Sequence, residues 1–333
     1  MDQTSYRKTF RDIVKGKSIS FIGGQKFYIK HLSALDQVDI DDIRESYYRQ
    51  AIDRGIPQQK ELLESLKSDG IWSESDESEI TSKENYLSSL NTAKSQLVLK
   101  SQIDQQNEEI KKIKKEISQL FDKKKSLLGV NAEDYADKRS NDYYIIKSFF
   151  NDEKLKDPVF TDESDFNDLY SDEVTQFIQV YNSIFAMFEE LKIQEMILQD
   201  FYYIYFPFSD DTVGFFGNPV CHLTYNQLKL IVYTKIFKNI FEQNSHIPEK
   251  IKKDPQALLD YGSISSEAKE KMQKQLDNAK DGSTIVGATK EDYEYAGIES
   301  PDSGAKVSLH EAAEKKGGSL SMEDLMELSG YTK

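Results

Sequence analysis

SESDESEITSKENYLSSLNTAKSQLVLKSQIDQQNEEIKKIKKEISQLFDKKKSLL, residues 73–128, holds neither glycine nor proline. A run of about 55 residues without a breaker is several times the usual helix of about 11–12. As one helix it would extend about 80 Å at ~1.5 Å per residue, too far to lie on one compact core. Its second half reads as heptads. Ile103, Ile110 and Ile117 take the a positions, and Ile113, Leu120 and Leu127 the d positions, with Gln106 interrupting the d series. The first half has an apolar series of its own, Ile80, Leu87, Leu90 and Leu97, in another phase. The two registers meet at Leu97-Val98-Leu99. Such a break fits a stutter in one long helix or a reversal into an antiparallel hairpin, and the reversal lets each half bury the other's stripe. A helical coiled coil, as hairpin or as single helix, is therefore the expected centrepiece of a mainly α chain.

Around it the composition is dilute in apolar residues. Of the 333 residues 38% are hydrophobic and 30% charged, so the core must be local. A formal net charge of −15 argues against nucleic acid, whose phosphates call for clustered Lys and Arg. A single cysteine, Cys221, allows no disulfide framework and fits a reducing cytoplasm. The N-terminal residues lack the apolar core of a signal peptide. No run of about 18 apolar residues exists, so no membrane span is expected.

Four segments follow. Residues 1–72 open with a basic stretch, a flexible arm or an anchoring helix, then a small β-hairpin across Gly23-Gly24. Ser33 or Asp36 then caps a helix to about Asp53, expected to turn Leu35, Val38, Ile43 and Tyr47 inward. Pro57 and Gly70 bracket a short helix, and Ile71 and Trp72 pin the corner before the coil of residues 73–129. Residues 130–262 form the helical core. Asn131 caps a helix carrying Tyr135, Tyr143, Ile146 and Phe149 or Phe150 inward, and an acidic link holds a short helical piece near Phe166. Val174–Leu191 is amphipathic, with Phe177, Val180, Ile184, Met187 and Phe188 on one side. Ile193–Phe206 continues helically until Pro207 closes it. VGFFGNPVCHL reads as extended and turn-rich, Thr224 caps the next helix, and one short helix ends near Gly262. Residues 263–333 are too poor in apolar groups to offset ordering entropy, which predicts a disordered tail. At its tip Ser321 and Asp324 make a capping-box variant before Leu325, Met326 and Leu328. With Met322 these form an amphipathic segment able to fold into a partner's groove.

Chemistry finds little purchase. Cys221 and His222 are adjacent on an extended segment and point to opposite faces, so a buried structural cysteine is expected rather than a nucleophile–base pair. The four histidines, His31, His222, His246 and His310, show no metal-ligand spacing. Asp36, Asp39, Asp41 and Asp42 lack the positions of a calcium loop. Glycine patterns for phosphate binding are missing, so no enzyme activity, cofactor or metal is expected. The lysines at 111, 112, 114, 115 and 123–125 read as a solvated helix face.

FFGNPVCHLTYNQLKLIVYTKIFKNIFE, residues 215–242, resembles the C-terminal helical region of baseplate hub assembly proteins and tail assembly chaperones of T4-type myoviruses. Leu223, Thr224 and Gln227 carry the Leu-Thr-x-x-Gln helix start of that family. SLSMEDLMELSGY, residues 319–331, is similar to short ends of phage tail proteins. The resemblance implies a non-enzymatic tail or baseplate assembly factor or chaperone, or else a structural component retained in the virion. It implies phage tail or baseplate proteins as partners, and a place in the host cytoplasm during assembly or in the virion. The coil adds self-association as a second contact. The candidate partner-binding residues are Ile103, Ile110, Ile113, Ile117 and Leu120 on the coil, and Met322, Leu325, Met326 and Leu328 at the tip.

Overall fold

The computed structural model describes residues 3–97, 99–244 and 247–264. It divides into two compact units, one of Met1–Asp76 with Phe121–Glu242, the other of Glu77–Leu120 with Gln243–Lys333. The expected N-terminal segment and most of the expected helical core thus share the first unit. All but the first two residues of the expected tail, including its terminal motif, lie outside the described residues.

In the first unit the basic N-terminus is a helix, α1 (Gln3–Lys15), anchored by buried Tyr6 and Ile13. Phe10 of α1 sits 4.7 Å from the Tyr205 ring and edge-on to Tyr202. The expected hairpin is β1 (Lys17–Ile22) with β2 (Gln25–Lys30), paired antiparallel from Lys17–Lys30 to Ile22–Gln25. Gly23 and Gly24 take φ of +57° and +85°, the left-handed pair that a two-residue turn requires. A third strand, β3 (Phe149–Phe150), joins β2, with Ile29 opposite Phe149. These two phenylalanines were expected on a helix. That helix, α6 (Ala132–Ile146), stops three residues earlier, and the open edge of β2 claims the aromatic pair. Phe149 then lies fully buried among Phe27, Phe160, Phe166 and Phe177, with edge-to-face rings 5.0 Å apart at Phe149–Phe177. Burying one such side chain is worth about 1.5–3 kcal/mol.

Asn131 caps α6 as expected, its side chain accepting from the Asp134 N–H at 2.7 Å. α2 (Ala34–Asp53) begins at Ser33 with a full capping box closed by Asp36. Its inward face is Ile40, Tyr47 and Ala51. Leu35 and Val38, expected inside, are 47% and 56% exposed, because they lie across the helix from those three. α3 (Gln59–Ser68) leads through Gly70 to Trp72, which is 1% exposed. Its neighbour Ile71 points outward instead. The Lys123 ammonium lies 5.3 Å from the Trp72 ring centre, a cation–π contact.

α7 (Glu163–Asn167) carries buried Phe166, and α8 (Ser171–Phe185) covers the sheet with Phe177. The helix expected to reach Leu191 breaks into a 3-10 turn at Ala186–Phe188, and α9 (Glu190–Ile197) resumes after it. Asp200–Asp210 is a 3-10 run that passes through Pro207 rather than ending at it. The segment expected to be extended winds into α10 (Thr212–Phe216) and a 3-10 turn, Val220–His222. α11 (Tyr225–Gln243) starts at another such box, in which the Thr224 N–H donates to Gln227 and the Gln227 N–H to the Thr224 hydroxyl.

In the second unit the coil is a hairpin of α4 (Glu74–Lys94) and α5 (Lys100–Leu128), which reach it from Glu77 and as far as Leu120. Lys94 meets Asn107 at 3.1 Å, Leu90 packs on Ile110 and Ile113, and Lys83 meets Glu116 at 2.7 Å. One number climbs as the other falls, so the helices are antiparallel and the chain reverses where the two registers meet. The single short helix expected near the end is two helices, α12 (Glu249–Lys252) and α13 (Pro255–Ser263). Asp260 of α13, buried, accepts from Lys94 at 2.8 Å, Asn107 at 2.7 Å and Gln256 at 2.9 Å.

Candidate interaction surface

The coil residues singled out as partner-binding are placed in the hairpin's own seam. Ile103, Ile110 and Ile113 are buried, Ile103 at 2% exposure, while Ile117 and Leu120 are half-buried. Leu87, Leu90, Ile110, Ile113 and Ile117 form one apolar cluster inside the second unit, so this stripe is spent within the chain. The outer faces of the hairpin carry Lys111, Lys112, Lys114 and Lys115 in solvent. A shallow open groove runs along α4, lined by Glu84, Leu87, Ser88, Asn91 and Thr92. Met322, Leu325, Met326 and Leu328 lie outside the described residues.

An apolar surface that the sequence reading missed stands on the first unit. Leu35 and Val38 occupy the solvent side of the first turns of α2. The 3-10 turn of Val220–His222 packs against α2 and shows Val220 at 56% exposure. The Tyr225 N–H donates to the Leu32 carbonyl at 3.1 Å, and Ser33 and Thr224 form a β-bridge, tying the starts of α2 and α11 together. Tyr225 itself is 42% exposed. Singly exposed apolar side chains are ordinary; a group gathered where three elements meet is a candidate contact surface. The available signal was the helical angle of Leu35 and Val38, opposite Ile40, Tyr47 and Ala51.

Cys221, expected buried, is exposed on this turn beside exposed His222. Val220, Cys221 and His222 are all exposed on this turn, where an extended segment would have buried one in two. Among the described residues His31 is the buried histidine. Its Nε2 is 2.9 Å from the Ser18 hydroxyl, its ring meets Phe188 edge-on at 4.6 Å, and its Nδ1 has no hydrogen-bond partner. Burial pushes its pKa down to about 3, so the imidazole is neutral.

One charged knot joins α2, α6 and α7. Glu163 pairs with Arg139 at 2.5 Å and accepts hydrogen bonds from Tyr47 and, at 3.3 Å, from Tyr143. Burial and then the bond to Glu163 push the Tyr47 phenol far up. Burial would raise Glu163, but the Tyr47 bond and the Arg139 charge outweigh it and hold the carboxyl low. The knot fastens three helices. Among the described residues no three His, Cys, Asp or Glu side chains gather as a metal site, and no helix is long and apolar enough to cross a membrane.

No protein-family model, curated protein or solved structure matches the chain.

Proposed function

We propose that the protein is a non-enzymatic assembly factor or chaperone for a bacteriophage tail or baseplate, holding a partner protein against its first unit. The observation that supports this reading is the apolar surface of Leu35, Val38, Val220 and Tyr225. Two of these residues fall within residues 215–242, the stretch resembling tail assembly proteins. Contacts, rather than bond chemistry, are what such a surface offers.

The test is capture of the full chain from cells in which tails assemble, with partners identified by mass spectrometry, alongside Leu35→Ser and Val38→Ser. The expected result is tail or baseplate proteins held by the wild type and lost by the two variants, with finished particles free of the chain. Absence of the protein from every tail-assembly intermediate would overturn the reading. Retention in finished particles would make it a structural component instead.

A further inference from the structure

Leu35 and Val38 do not stand among neutral neighbours. Asp42 follows them by one turn on the same side of α2, and Asp39 borders Leu35; both carboxylates are exposed. The cations at hand are few. Lys30 is taken by Asp36 at 2.5 Å, Lys147 answers Asp39 at 3.5 Å, and Lys229 is exposed one turn beyond Tyr225. Asp42 has no ion-pair partner among the described residues. Asp41, also exposed on α2, makes four carboxylates against these three lysines, and the field of a chain of net charge −15 adds to that excess.

From this juxtaposition we infer that the surface of Leu35, Val38, Val220 and Tyr225 receives a basic amphipathic helix of the partner, with apolar anchors on the four side chains and Lys or Arg against Asp39 and Asp42. The inference rests on the proposed assembly role and names the chemistry of the partner. An amphipathic helix laid on an exposed apolar face presents anchors at positions i, i+3, i+4 and i+7, and charges at the rim steer it and set its orientation. An acidic segment placed there would meet like charges on α2, so the surface discriminates by sign as well as by shape.

The experiment uses the full chain and two synthetic helical peptides, one of Leu and Lys and one of Leu and Glu at the same spacing. Fluorescence anisotropy of labelled peptide gives affinity. Maleimide modification of Cys221, the one thiol of the chain, reports whether the surface is covered. The Leu/Lys peptide is expected to bind saturably and to slow Cys221 modification severalfold, while the Leu/Glu peptide does neither. Leu35→Ser and Val38→Ser, exposed positions that leave the charge unchanged, are expected to weaken binding at least fivefold with unaltered circular dichroism. Asp39→Asn with Asp42→Asn should flatten the salt dependence.

Equal binding by wild type and Leu35→Ser would reduce the effect to charge attraction by an acidic chain and overturn the inference. So would unprotected Cys221, or preference for the Leu/Glu peptide. Failure of the peptide while tail intermediates still retain the chain refutes the partner chemistry alone. Binding of the peptide by a chain absent from those intermediates refutes the assembly role alone.

Discussion

Lys94 and Asp260, 166 positions apart, form a 2.8 Å ion pair in which the Asp side chain is only 6% exposed. Asn107 and Gln256 complete the carboxylate's hydrogen bonds, so the charge is satisfied inside the second unit. Removing one member of such a pair leaves the other buried and uncompensated, which costs about 3 kcal/mol or more. Asp260→Ala is therefore expected to destabilise strongly, and Asp260→Leu with Lys94→Met to cost less than Asp260→Ala. Thermal unfolding of the three proteins tests the order; equal loss in single and double variants would contradict it.

Ile110 and Ile113 hold the hairpin seam closed. Truncating either to Ala is expected to remove about 2–4 kcal/mol through lost burial and the cavity left behind. Lys111→Ala and Lys115→Ala, on the solvated face, should stay within ~0.5 kcal/mol. Urea unfolding followed by helical circular dichroism separates the two classes.

His31 makes acid stability readable. Its folded pKa of about 3 lies below the ordinary 6.5, so between those values the unfolded chain binds the proton and the fold does not. Stability is expected to fall as pH drops through that window, by of order a few kcal/mol from this group, and to gain no further His31 dependence below it. Carboxylates held low add their own loss at the acid end. Asp36 is one: burial alone would raise it, but the Lys30 and Ser33 bonds prevail. The difference between wild type and His31→Phe, measured by urea unfolding from pH 7 to pH 3, isolates the histidine. Parallel curves would contradict the assignment.

Gln227 joins three pieces of chain at one side chain. It accepts from the Thr224 N–H at 2.9 Å and donates to the Val14 carbonyl at 3.1 Å, and it is 2% exposed. Gln227→Ala strands a buried donor and a half-buried acceptor, at about 2–3 kcal/mol together. Gln227→Glu keeps the cap but faces the Val14 carbonyl with a carboxylate, so it too should lose stability. Amide exchange at Thr224 is expected to quicken in Gln227→Ala alone, and exchange in α1 in both.

The caps at Ser33, Asn131 and Thr224 were legible because each is a local arrangement written within four residues. The chain reversal was legible as a phase change between Leu97 and Leu99. Phe149 and Phe150 were not, since the strand they complete is offered by β2, more than a hundred positions earlier. Leu35 and Val38 misled by type: an apolar residue in a helix suggests a core, and only its angle to Ile40 and Tyr47 says otherwise. The burial of Asp260 left no local trace, because two of its partners, Lys94 and Asn107, belong to the distant hairpin.

That distance has a meaning on the ribosome. The seam of α4 and α5 closes across a connection of a few residues, so it can form as soon as Leu120 has emerged. Lys94 and Asn107 must then wait for Asp260, 166 and 153 positions later in the chain. From Leu120 to Asp260 is 140 positions, so at ~5–20 residues per second the wait is roughly 7–28 s. Through it the nascent hairpin carries an open polar notch, and α13 is the helix that seals it.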